Sequence, residues 1–600
     1  MRAYPLIRRK WSNEHIMAML FVVILLYLAP RWITNPSEVP AFLAALALAL
    51  IIDAAAGFIK YKRLVCSVSA AVTTGVLQVL TPGIPLWGRM VGIVAAIVIG
   101  KVLWGGTGKN TLNPAIVGYL AIYLIFSAGY APITPTILLT PAIILSLPFI
   151  LVRPFASIGF ITGMTLSILI ISPSADLMTV LVNCLFFGSI IITDPVTTTS
   201  RKVPGLIGAF AAGFIPLMMK NPALNLAMAI LIFNLISYLI SDFGYKPAKR
   251  LHYTGPTIKS AVAEVNYSIP ALDMTKADIT SHSSDECKAL EALAPELIIE
   301  RIGESGVYGC GGAAFPTAEK IKGVLNASAN KKYLIINGVE CDPGLVHDKW
   351  LLHNRPDDII QGIKAISSCI NFSEVILAVK DAAGLKFSGD ITLQKVRDHY
   401  PAGYEKFLIE NALGKKLSDG TIPSNEGILV LNVQTLLMVY DAVFYGKKAT
   451  EKYITVSDMK AGNAAVVKVR TGDNILKVLD AVYPGRQPVF TGGGAMLAHM
   501  ADETGKIERE TNFIAVSNIP RYKESPFCSG CGACEANCPQ GLRICKISEL
   551  IDEGKLEEAG RYNPEKCIRC GICSYMCPGG RNLSARVIEA KAAVLKQEAI

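Results

Sequence analysis

Eight cysteines near the C-terminal end of the chain fall into two runs whose spacing indicates their chemistry. The first run reads CSGCGACEANCP and begins at Cys528, and the second reads CIRCGICSYMCP and begins at Cys567. In a C-x2-C-x2-C-x3-C-P run, three closely spaced thiolates hold one 4Fe-4S cluster and the fourth cysteine serves the other cluster. The ligands predicted for the first-run cluster are Cys528, Cys531, Cys534 and Cys577, and those for the second-run cluster are Cys567, Cys570, Cys573 and Cys538.

Clustered cysteines also form structural zinc sites or disulfide frameworks. Two complete four-cysteine runs, closed by Pro539 and Pro578, argue against both alternatives. Cys545 lies outside the pattern, and we interpret it as a spare buried thiol. Residues 521–587 are therefore predicted to form a ferredoxin-like domain with two clusters, followed by a tail at 588–600.

A second candidate site lies upstream, where glycines cluster ahead of a predicted helix. The segment GESGVYGCGGAAFPTAEKI begins at Gly303, and Pro316 and Thr317 start the helix, so that free backbone amides can face a phosphate. The segment YLIINGVECDPGLVHDK begins with a buried strand, and α/β sheets bind ligands just beyond their strand ends. Together the segments predict a nucleotide-binding α/β domain whose polar residues at the strand end are Asn337, Glu340 and Asp342.

The first 245 residues differ from the rest because apolar runs dominate them. Ten stretches have about the length of a membrane span, at 14–30, 40–59, 64–80, 83–103, 114–129, 133–152, 156–172, 176–193, 204–219 and 222–240. We expect the third, seventh and ninth to be half-helices or tilted pieces. Lysines and arginines lie mostly on one predicted side of the membrane, which places both termini in the cytoplasm.

The net charge of +10 raises the alternative of a nucleic-acid partner. The basic excess belongs to the first 250 residues, since acidic and basic residues nearly balance in the remainder. No basic stripe with interleaved aromatic residues remains that would line a nucleic-acid groove. The composition therefore indicates a membrane protein with no nucleic-acid partner.

Two polar loops interrupt the apolar half, GGTGKNTLNPA from Gly105 and TDPVTTTS from Thr193. Small and hydroxyl residues at helix ends suit a place where backbone amides meet a phosphate or a flavin, although ordinary polar loops explain them equally well. Asp53 and Asp194 are ionisable groups in a setting where burial is costly. Each is a candidate for an ion path, with pairing to a lysine or capping of a turn as the alternative.

The longer segments GGTGKNTLNPAIVGYL and ITDPVTTTSRKVPGLIGAF resemble the two signature regions of the membrane D subunit of Rnf-type electron-transport complexes. That subunit is similar to the B subunit of the sodium-pumping quinone reductase, and the resemblance covers most of residues 1–245. It implies a membrane flavin bonded to the threonine of an S-G-A-T type motif. No such motif occurs between Leu151 and Asp194, so any flavin in the membrane half is expected to be non-covalent.

Residues 297–587 resemble the C subunit of the same complexes and the flavin-bearing NADH-oxidising subunit of respiratory complex I. The glycine-rich and acidic segments carry the resemblance, together with YPAGYEKFL, LNVQT and FTGGGAMLAH. It implies that FMN and NADH bind here and that Glu340 and Asp342 have catalytic roles. The residues it assigns to the FMN phosphate are Gly309, Gly311, Gly312, Ala313 and Phe315, with Lys320 nearby, and those beside the flavin and nicotinamide rings are Asn337, Glu340 and Asp342.

The chain departs from this family in three places. Ala314 replaces the second glycine of the GAGFP motif, which narrows the space for a stacked nicotinamide. The segment KDAAG from Lys380 replaces the usual NKP, and the family's N-terminal barrel domain is missing. These departures affect the NADH prediction more than the FMN prediction. Cys310 and Cys341 flank the predicted pocket, and we interpret them as small packing residues.

We therefore predict a polytopic α-helical membrane domain (1–245), a linker (246–296), an α/β flavin/NADH-binding domain (297–449), a small β-grasp module (450–520) and the ferredoxin-like domain. The expected function is electron transfer between NADH and ferredoxin or membrane carriers, through FMN and two 4Fe-4S clusters, within an ion-translocating oxidoreductase. The expected location is the cell (inner) membrane, and the expected partners are further subunits of an Rnf-like complex and sodium ions or protons. The alternatives are a non-pumping membrane flavoprotein that reduces a quinone-like carrier and a transporter with a degenerate redox domain.

Overall fold

The computed structural model describes residues 6, 13–61, 67–104, 110–127, 132–199, 202–242, 270–275, 293–312, 314–385, 387, 390–418, 420–518, 524–525 and 528–598. Ala313, the start of the loop at Gly105 and most of the predicted linker lie outside these residues. The described chain forms an apolar helical part, an α/β domain, a mixed sheet and a helical C-terminal part. This architecture confirms the predicted fold class.

Ten apolar helices occupy the described part of residues 13–242, near the ten predicted stretches. They are α1 (Asn13–Thr34), α2 (Glu38–Tyr61), α3 (Val68–Leu80), α4 (Leu86–Val94), α5 (Pro114–Phe126), α6 (Thr140–Ile150), α7 (Pro154–Ile171), α8 (Leu177–Phe186), α9 (Lys202–Phe214) and α10 (Pro222–Asp242). Helices α4 and α8 continue as π-helices over Ala95–Val102 and Phe187–Ile191.

Four of these helices, α1, α2, α7 and α10, are long and apolar enough to cross a membrane by length and composition. The prediction that the seventh stretch is a short piece was wrong, because its apolar run forms one continuous helix of 18 residues. The third and ninth stretches do form shorter helices, of 13 residues each. The helical part is therefore inserted in the membrane, with short helices between the long ones.

Helices α7 and α9 approach each other closely because glycines face the contact. A Cβ built at Gly213 would lie 2.6 Å from the carbonyl oxygen of Phe160, and Cβ atoms at Gly159 and Gly163 would overlap carbonyl groups of α9. Small residues let membrane helices pack backbone to backbone, which is a main source of their association. Arg153 immediately precedes α7.

The α/β domain follows the short strand β1 (Leu272–Asp273) and contains a parallel sheet in the order β4-β3-β2-β5. Its strands are β2 (Tyr333–Gly338), β3 (Glu374–Val379), β4 (Ile391–Lys395) and β5 (Ile428–Asn432), and its helices are α11 (Pro295–Glu304), α12 (Thr317–Leu325), α13 (His347–Asn354), α14 (Pro356–Cys369), α15 (Glu405–Leu413) and α16 (Val433–Tyr445). Asn337 of β2 is in register with Asn432 of β5. The carboxyl ends of the neighbouring strands β2 and β5 therefore meet at one edge of the sheet.

The mixed sheet has the strand order β1-β7-β6-β10-β8-β9. Its remaining elements are β6 (Glu451–Asp458), β7 (Asn463–Arg470), α17 (Ile475–Val482), β8 (Val489–Gly492), β9 (Ala498–Met500) and β10 (Phe513–Val516). Strand β1 pairs with β7, so part of the predicted linker belongs to this sheet.

The C-terminal part is a small helical unit around the two cysteine runs. Its helices are α18 (Ala533–Ala536), α19 (Ile544–Asp552), α20 (Leu556–Gly560), α21 (Ile572–Met576) and α22 (Leu583–Glu598). Helix α22 continues past residue 587, where a tail was predicted, and its Ala590 is fully buried. The unit therefore includes most of that tail.

Gly163→Ala tests the close contact between α7 and α9. Because the added methyl group would overlap a carbonyl of α9, we expect the variant to lose about 1–3 kcal/mol of stability by overpacking, measured by thermal unfolding in detergent. Gly205→Ala is the matched control, since a Cβ there meets its nearest atom at 3.7 Å. Equal unfolding temperatures for the two variants would contradict the close packing.

Candidate functional site

The glycine-rich loop lies at the start of α12 and leaves open space beside it. The amide of Gly309 donates a hydrogen bond to the carbonyl of Phe315 at 2.9 Å, which closes the loop. Gly312 has a φ of +133°, and a Cβ built there meets nothing within 4 Å. Thr317, the first residue of α12, has a buried hydroxyl with no partner among the described residues. A glycine cradle before a helix start with an unsatisfied hydroxyl fits a phosphate group.

A cluster of three buried ionisable residues lies beyond the end of β2. Glu340 caps the start of α13, where its two carboxylate oxygens accept the amides of Asp348 at 2.8 Å and Lys349 at 3.2 Å. His347 lies between the carboxylates, with Nδ1 3.7 Å from Glu340 Oε1 and Nε2 3.7 Å from Asp348 Oδ1. Asp348 Oδ2 accepts Asn432 Nδ2 at 2.6 Å, which joins the cluster to β5. The ends of β2 and β5 thus form one polar site.

Burial sets the protonation of this cluster. Burial and the charge of Asp348 raise the pKa of Glu340 to about 8, and burial raises the pKa of Asp348 to about 7. Burial also lowers the pKa of His347 to about 3, with a further contribution from Lys452. The coupled carboxyl pair therefore takes up a proton at higher pH than isolated carboxyl groups do, while the imidazole stays neutral. Such groups can exchange a proton with a cofactor whose reduction is coupled to proton uptake.

Asp342, the second predicted catalytic residue, is fully engaged with backbone amides. Its carboxylate accepts the amide of Ala495 at 2.8 Å and those of Gly344 and Met496 at 3.3 Å each. Burial raises the pKa of Asp342 to about 6, and these amides oppose the rise. Asp342 therefore fixes the loop at Ala495 and Met496, and its catalytic role stays a prediction.

Two other predicted residues are also held by protein partners. Lys320 pairs with Glu405 at 2.7 Å and donates to the carbonyl of Val430 at 3.0 Å, so its ammonium group already has an anionic partner. Asn337 Nδ2 donates to the carbonyl of Gly403 at 2.9 Å. Phe315 is 52% exposed. Gly311 lies beside Asn432 at the end of β5.

The cysteine runs come together in the C-terminal part. One small pocket is lined by all four cysteines predicted for the first-run cluster, namely Cys528, Cys531, Cys534 and Cys577. Cys538 is near enough to Cys570 and Cys573 to interact with them electrostatically. The fourth cysteine of each run thus lies with the other run, as crossed ligation requires.

Backbone amides point at three of these sulfur atoms. Gly530 donates to Cys528 Sγ, Leu542 to Cys538 Sγ and Arg569 to Cys567 Sγ, each at 3.4 Å. Hydrogen bonds to the sulfurs tune the reduction potential of iron–sulfur clusters. The donor set therefore fits two 4Fe-4S clusters.

Cys545 is not remote from the first-run site. It lines the same pocket, and its Sγ lies 3.4 Å from Cys534 Sγ. Its side chain is only partly buried, so its interpretation as a spare buried thiol needs this correction.

The two cluster sites face different parts of the molecule. Cys570 belongs to one hydrophobic cluster with Cys341 and Tyr400 from the α/β domain and with Met496. On the other side, the carbonyl of Cys531 accepts a hydrogen bond from Arg153 Nη1 at 3.4 Å. The second-run site therefore adjoins the α/β domain, and the first-run site adjoins the membrane part.

The two acidic candidates for an ion path have local partners. Asp53 pairs with Lys101 at 2.7 Å and accepts the amide of Ser67 at 3.1 Å. Asp194 accepts the amide of Val196 at 3.1 Å and the hydroxyl of Thr197 at 3.0 Å, which is the geometry of a capped turn. These contacts favour the local alternatives that the sequence left open.

Comparison with known proteins agrees with this arrangement. Residues 1–136 match the NQR2, RnfD, RnfE family, residues 302–441 match the Nuo51 FMN-binding domain, and residues 521–578 match a 4Fe-4S dicluster domain. The fold and the sites therefore define a membrane-inserted protein with an FMN-binding domain and a 4Fe-4S dicluster domain.

The curated relatives identify the second half more closely. The C subunit of the ion-translocating oxidoreductase complex from Haemophilus influenzae (strain PittEE) is 30% identical over 329 residues, which cover 51% of this chain and 50% of that protein. The corresponding protein from Buchnera aphidicola subsp. Acyrthosiphon pisum is 28% identical over 306 residues, or 48% and 64% of the two chains. This chain thus spans less than two thirds of either relative. It joins a part that resembles the Rnf D subunit to a part that resembles the Rnf C subunit, which confirms the resemblance.

A solved NAD+-reducing [NiFe]-hydrogenase in the H2-reduced state is 18% identical with a TM-score of 0.39, and the match covers 55% of this chain and 68% of that one. This likeness is too weak to define a shared fold.

Sequence reasoning missed three residues that the structure places at the sites. His347 and Asp348 stand in the quoted acidic segment, but only the fold brings them against Glu340. In the sequence, Arg153 was used only as one of the basic residues that predict the orientation of the helices in the membrane. The sequence could have indicated His347, because a histidine and an aspartate at a helix start beside a strand end are candidates for proton transfer.

Cys577→Ala tests the crossed ligation. Because Cys577 lies with the first run, we expect loss of the first-run cluster signal in electron paramagnetic resonance, with the second-run signal retained. Reference spectra of Cys531→Ala and Cys570→Ala assign the signals. Cys369→Ala, a buried thiol of the α/β domain, is the control and should keep both clusters. Loss of only the second-run signal in Cys577→Ala would contradict the crossed arrangement.

Asp348→Asn tests the coupled carboxyl groups. The charge of Asp348 adds to burial in raising the pKa of Glu340, so the variant should bring that pKa down while burial keeps it above the ordinary range. In a pH titration by infrared spectroscopy, the protonated carboxyl band of Glu340 should persist to about pH 8 in the parent and titrate at lower pH in the variant. The exposed Asp381→Asn is the control, and identical titrations of all three proteins would refute the coupling.

Proposed function

We propose that this protein carries electrons between NADH and the membrane through FMN, the second-run cluster and the first-run cluster, in that order. The observation that carries the proposal is the unbroken series of contacts described above. Gly571, next to Cys570, lies against the carbonyl of Met496, and Cys570 belongs to the same hydrophobic cluster as Cys341. On the other side, Cys531 contacts Arg153 of the membrane part. Both cluster sites lie between these contacts within one small unit.

The residues at the strand ends suit FMN. We assign the cofactor phosphate to the loop from Gly309 to Gly312 and to the Thr317 hydroxyl, and the flavin ring to the strand end. When bound, FMN supplies the conversion between two-electron and one-electron transfer. Burial raises the pKa of Glu340 and of Asp348, which suits this pair to exchange a proton close to the strand end, and the neutral His347 lies between them.

NADH is the proposed two-electron donor, in keeping with the flavin-bearing NADH-oxidising proteins that the loop resembles. Ala314 adopts a φ of +46°, a left-handed conformation in which a methyl group projects where the family has a glycine. This methyl group reduces the room above the loop. NADH binding at this site is therefore expected to be weaker than at a glycine-bearing loop.

The wider assignment follows the relatives. We place both termini and the redox domains in the cytoplasm of a cell with this protein in its inner membrane, and we assign the protein to a complex with further Rnf-like subunits. Ferredoxin is the proposed partner at the low-potential end, with sodium ions or protons as the translocated species. The basic residues on one predicted side of the helices support the orientation.

One observation favours the alternative of a non-pumping flavoprotein that reduces a quinone-like carrier. Asp53 is neutralised by Lys101, and both side chains are buried. A cation that binds the Asp53 carboxylate on its way across the membrane would have to displace the ammonium group of Lys101. Sodium uptake into sealed vesicles during NADH oxidation separates the two functions, because only the ion-translocating protein accumulates sodium or generates a proton gradient.

Anaerobic purification followed by an NADH titration tests the proposed function. Iron and acid-labile sulfide should each approach eight per chain, as two 4Fe-4S clusters require, with one FMN released on denaturation. NADH should bleach the flavin and cluster absorbance, and Gly312→Val, which fills the cradle, should abolish the FMN content while the iron remains. If the protein contains the full complement of iron and FMN but its absorbance does not change on addition of NADH, NADH is not the donor. The absence of iron would instead indicate a transporter with a degenerate redox domain.

A further inference from the structure

The first-run site contains one cysteine more than a 4Fe-4S cluster uses. Its pocket is lined by Cys545 together with the four predicted ligands, and such a cluster is held by four thiolates. The Sγ atom of Cys545 lies 3.4 Å from that of Cys534, and its side chain is also within hydrogen-bonding distance of Cys528. Cys545 therefore contacts two ligands of one cluster, while the predicted set already fills the four ligand positions.

Local contacts fix the position of Cys545. It is the second residue of α19, and its backbone amide donates to Glu535 Oε1 at 3.1 Å. Glu535 directly follows Cys534 in α18, and Arg543 Nε lies 3.4 Å from the same carboxylate oxygen. The backbone that carries the Cys545 thiol is thus bound to the residue beside the Cys534 ligand.

The second run provides an internal comparison. Cys545 stands seven positions after Cys538, the last cysteine of the first run. Ser584 stands at the same distance after Cys577, the last cysteine of the second run. Its amide is held in the same way, by a side-chain oxygen of the residue that follows the third cysteine of the run, here Ser574 Oγ at 2.8 Å. Ser584 is therefore the counterpart of Cys545 in the repeated unit.

The two counterparts differ in the contacts of their side chains. Ser584 Oγ bonds to Ser574 Oγ at 2.8 Å and donates to Asn582 Oδ1 at 3.2 Å. The Cys545 thiol lies against Cys534. The repeat therefore places a hydrogen-bond donor beside the ligands of the first-run cluster, whereas the corresponding hydroxyl of the second run is engaged with its own loop.

A thiol beside ligand sulfurs acts on the reduction potential of the cluster. Cysteine binds metals as the thiolate, so Cys545 supplies the proton of the hydrogen bond and Cys534 or Cys528 accepts it. Reduction adds negative charge to the cluster and its ligand sulfurs, and a hydrogen bond therefore stabilises the reduced state more than the oxidised state. Hydrogen bonds to the sulfurs are among the features that set these potentials.

We propose that the Cys545 thiol donates a hydrogen bond to the ligand sulfurs of the first-run cluster and thereby raises the reduction potential of that cluster. In the step that this bond serves, one electron leaves the second-run cluster, which is oxidised, and enters the first-run cluster, which is reduced. The thiol proton stays on Cys545. The raised potential favours transfer toward the membrane part. That direction rests on the proposed function, whereas the effect on the potential does not.

Cys545→Ala and Cys545→Ser test this role in the full chain. An anaerobic titration with dithionite and redox mediators, followed by electron paramagnetic resonance, gives the potential of each cluster without NADH. Because Cys545→Ala removes the donor, the reduced-to-oxidised ratio of the first-run cluster at the parent midpoint should fall tenfold, which is about 59 mV for one electron. Cys545→Ser keeps a donor and should stay near the parent. The second-run potential should be unchanged in both variants.

Ser584→Ala is the matched control, because it removes the hydroxyl at the counterpart position, and its first-run potential should equal that of the parent. Water that enters the space left by Cys545→Ala would stabilise the more highly charged reduced cluster and raise the potential, so the sign of the shift separates loss of the donor from loss of packing. A first-run potential in Cys545→Ala equal to or above that of the parent would overturn the proposal. A potential in Cys545→Ser as low as in Cys545→Ala would also overturn it. Loss of the first-run cluster from both variants would make Cys545 a ligand and would overturn it too.

Discussion

The carboxylate of Asp342 holds together three parts of the molecule. It accepts amides of Ala495 and Met496 from the loop between β8 and β9, and it stands at the end of the α/β segment that begins with β2. Hydrogen bonds to a buried carboxylate contribute about 1.5–3 kcal/mol each. Several such bonds together are needed to outweigh the cost of burying this charge. The same loop contacts the second-run site, where Cys570 packs with Met496.

This contact imposes strict limits on neighbouring residues. A Cβ at Gly494 would overlap the Asp342 carboxylate, and a Cβ at Gly571 would lie 2.5 Å from the carbonyl oxygen of Met496. Gly571 also has a φ of +74°, which side chains rarely adopt. The backbone of the second-run loop can therefore lie directly against the loop that Asp342 fixes. The distance between the strand end and the second-run cluster thus depends on one aspartate and two glycines.

The sequence predicted the parts of this molecule better than their contacts. The cysteine spacing identified both cluster sites, and the pattern of apolar stretches located the helices of the membrane part, because both signals are local. Glu340 was predicted at the site, but its partners His347 and Asp348 depend on how α13 begins beside β5. Arg153 carried no signal, since its acceptors come from a turn after α8 and from Cys531, more than 300 positions away. Lys320 matched a motif, yet its bond to Glu405 depends on α15, which no local pattern places there.

Freeze-quench electron paramagnetic resonance after rapid anaerobic mixing with NADH tests the proposed electron path most directly. The described contacts place the second-run cluster next to the α/β domain, so its signal should rise before that of the first-run cluster. In Cys570→Ala the first-run cluster should stay oxidised on that timescale, whereas in Cys531→Ala the second-run cluster should be reduced at the parent rate. Prompt reduction of the first-run cluster in Cys570→Ala would contradict the path from the strand end to the membrane.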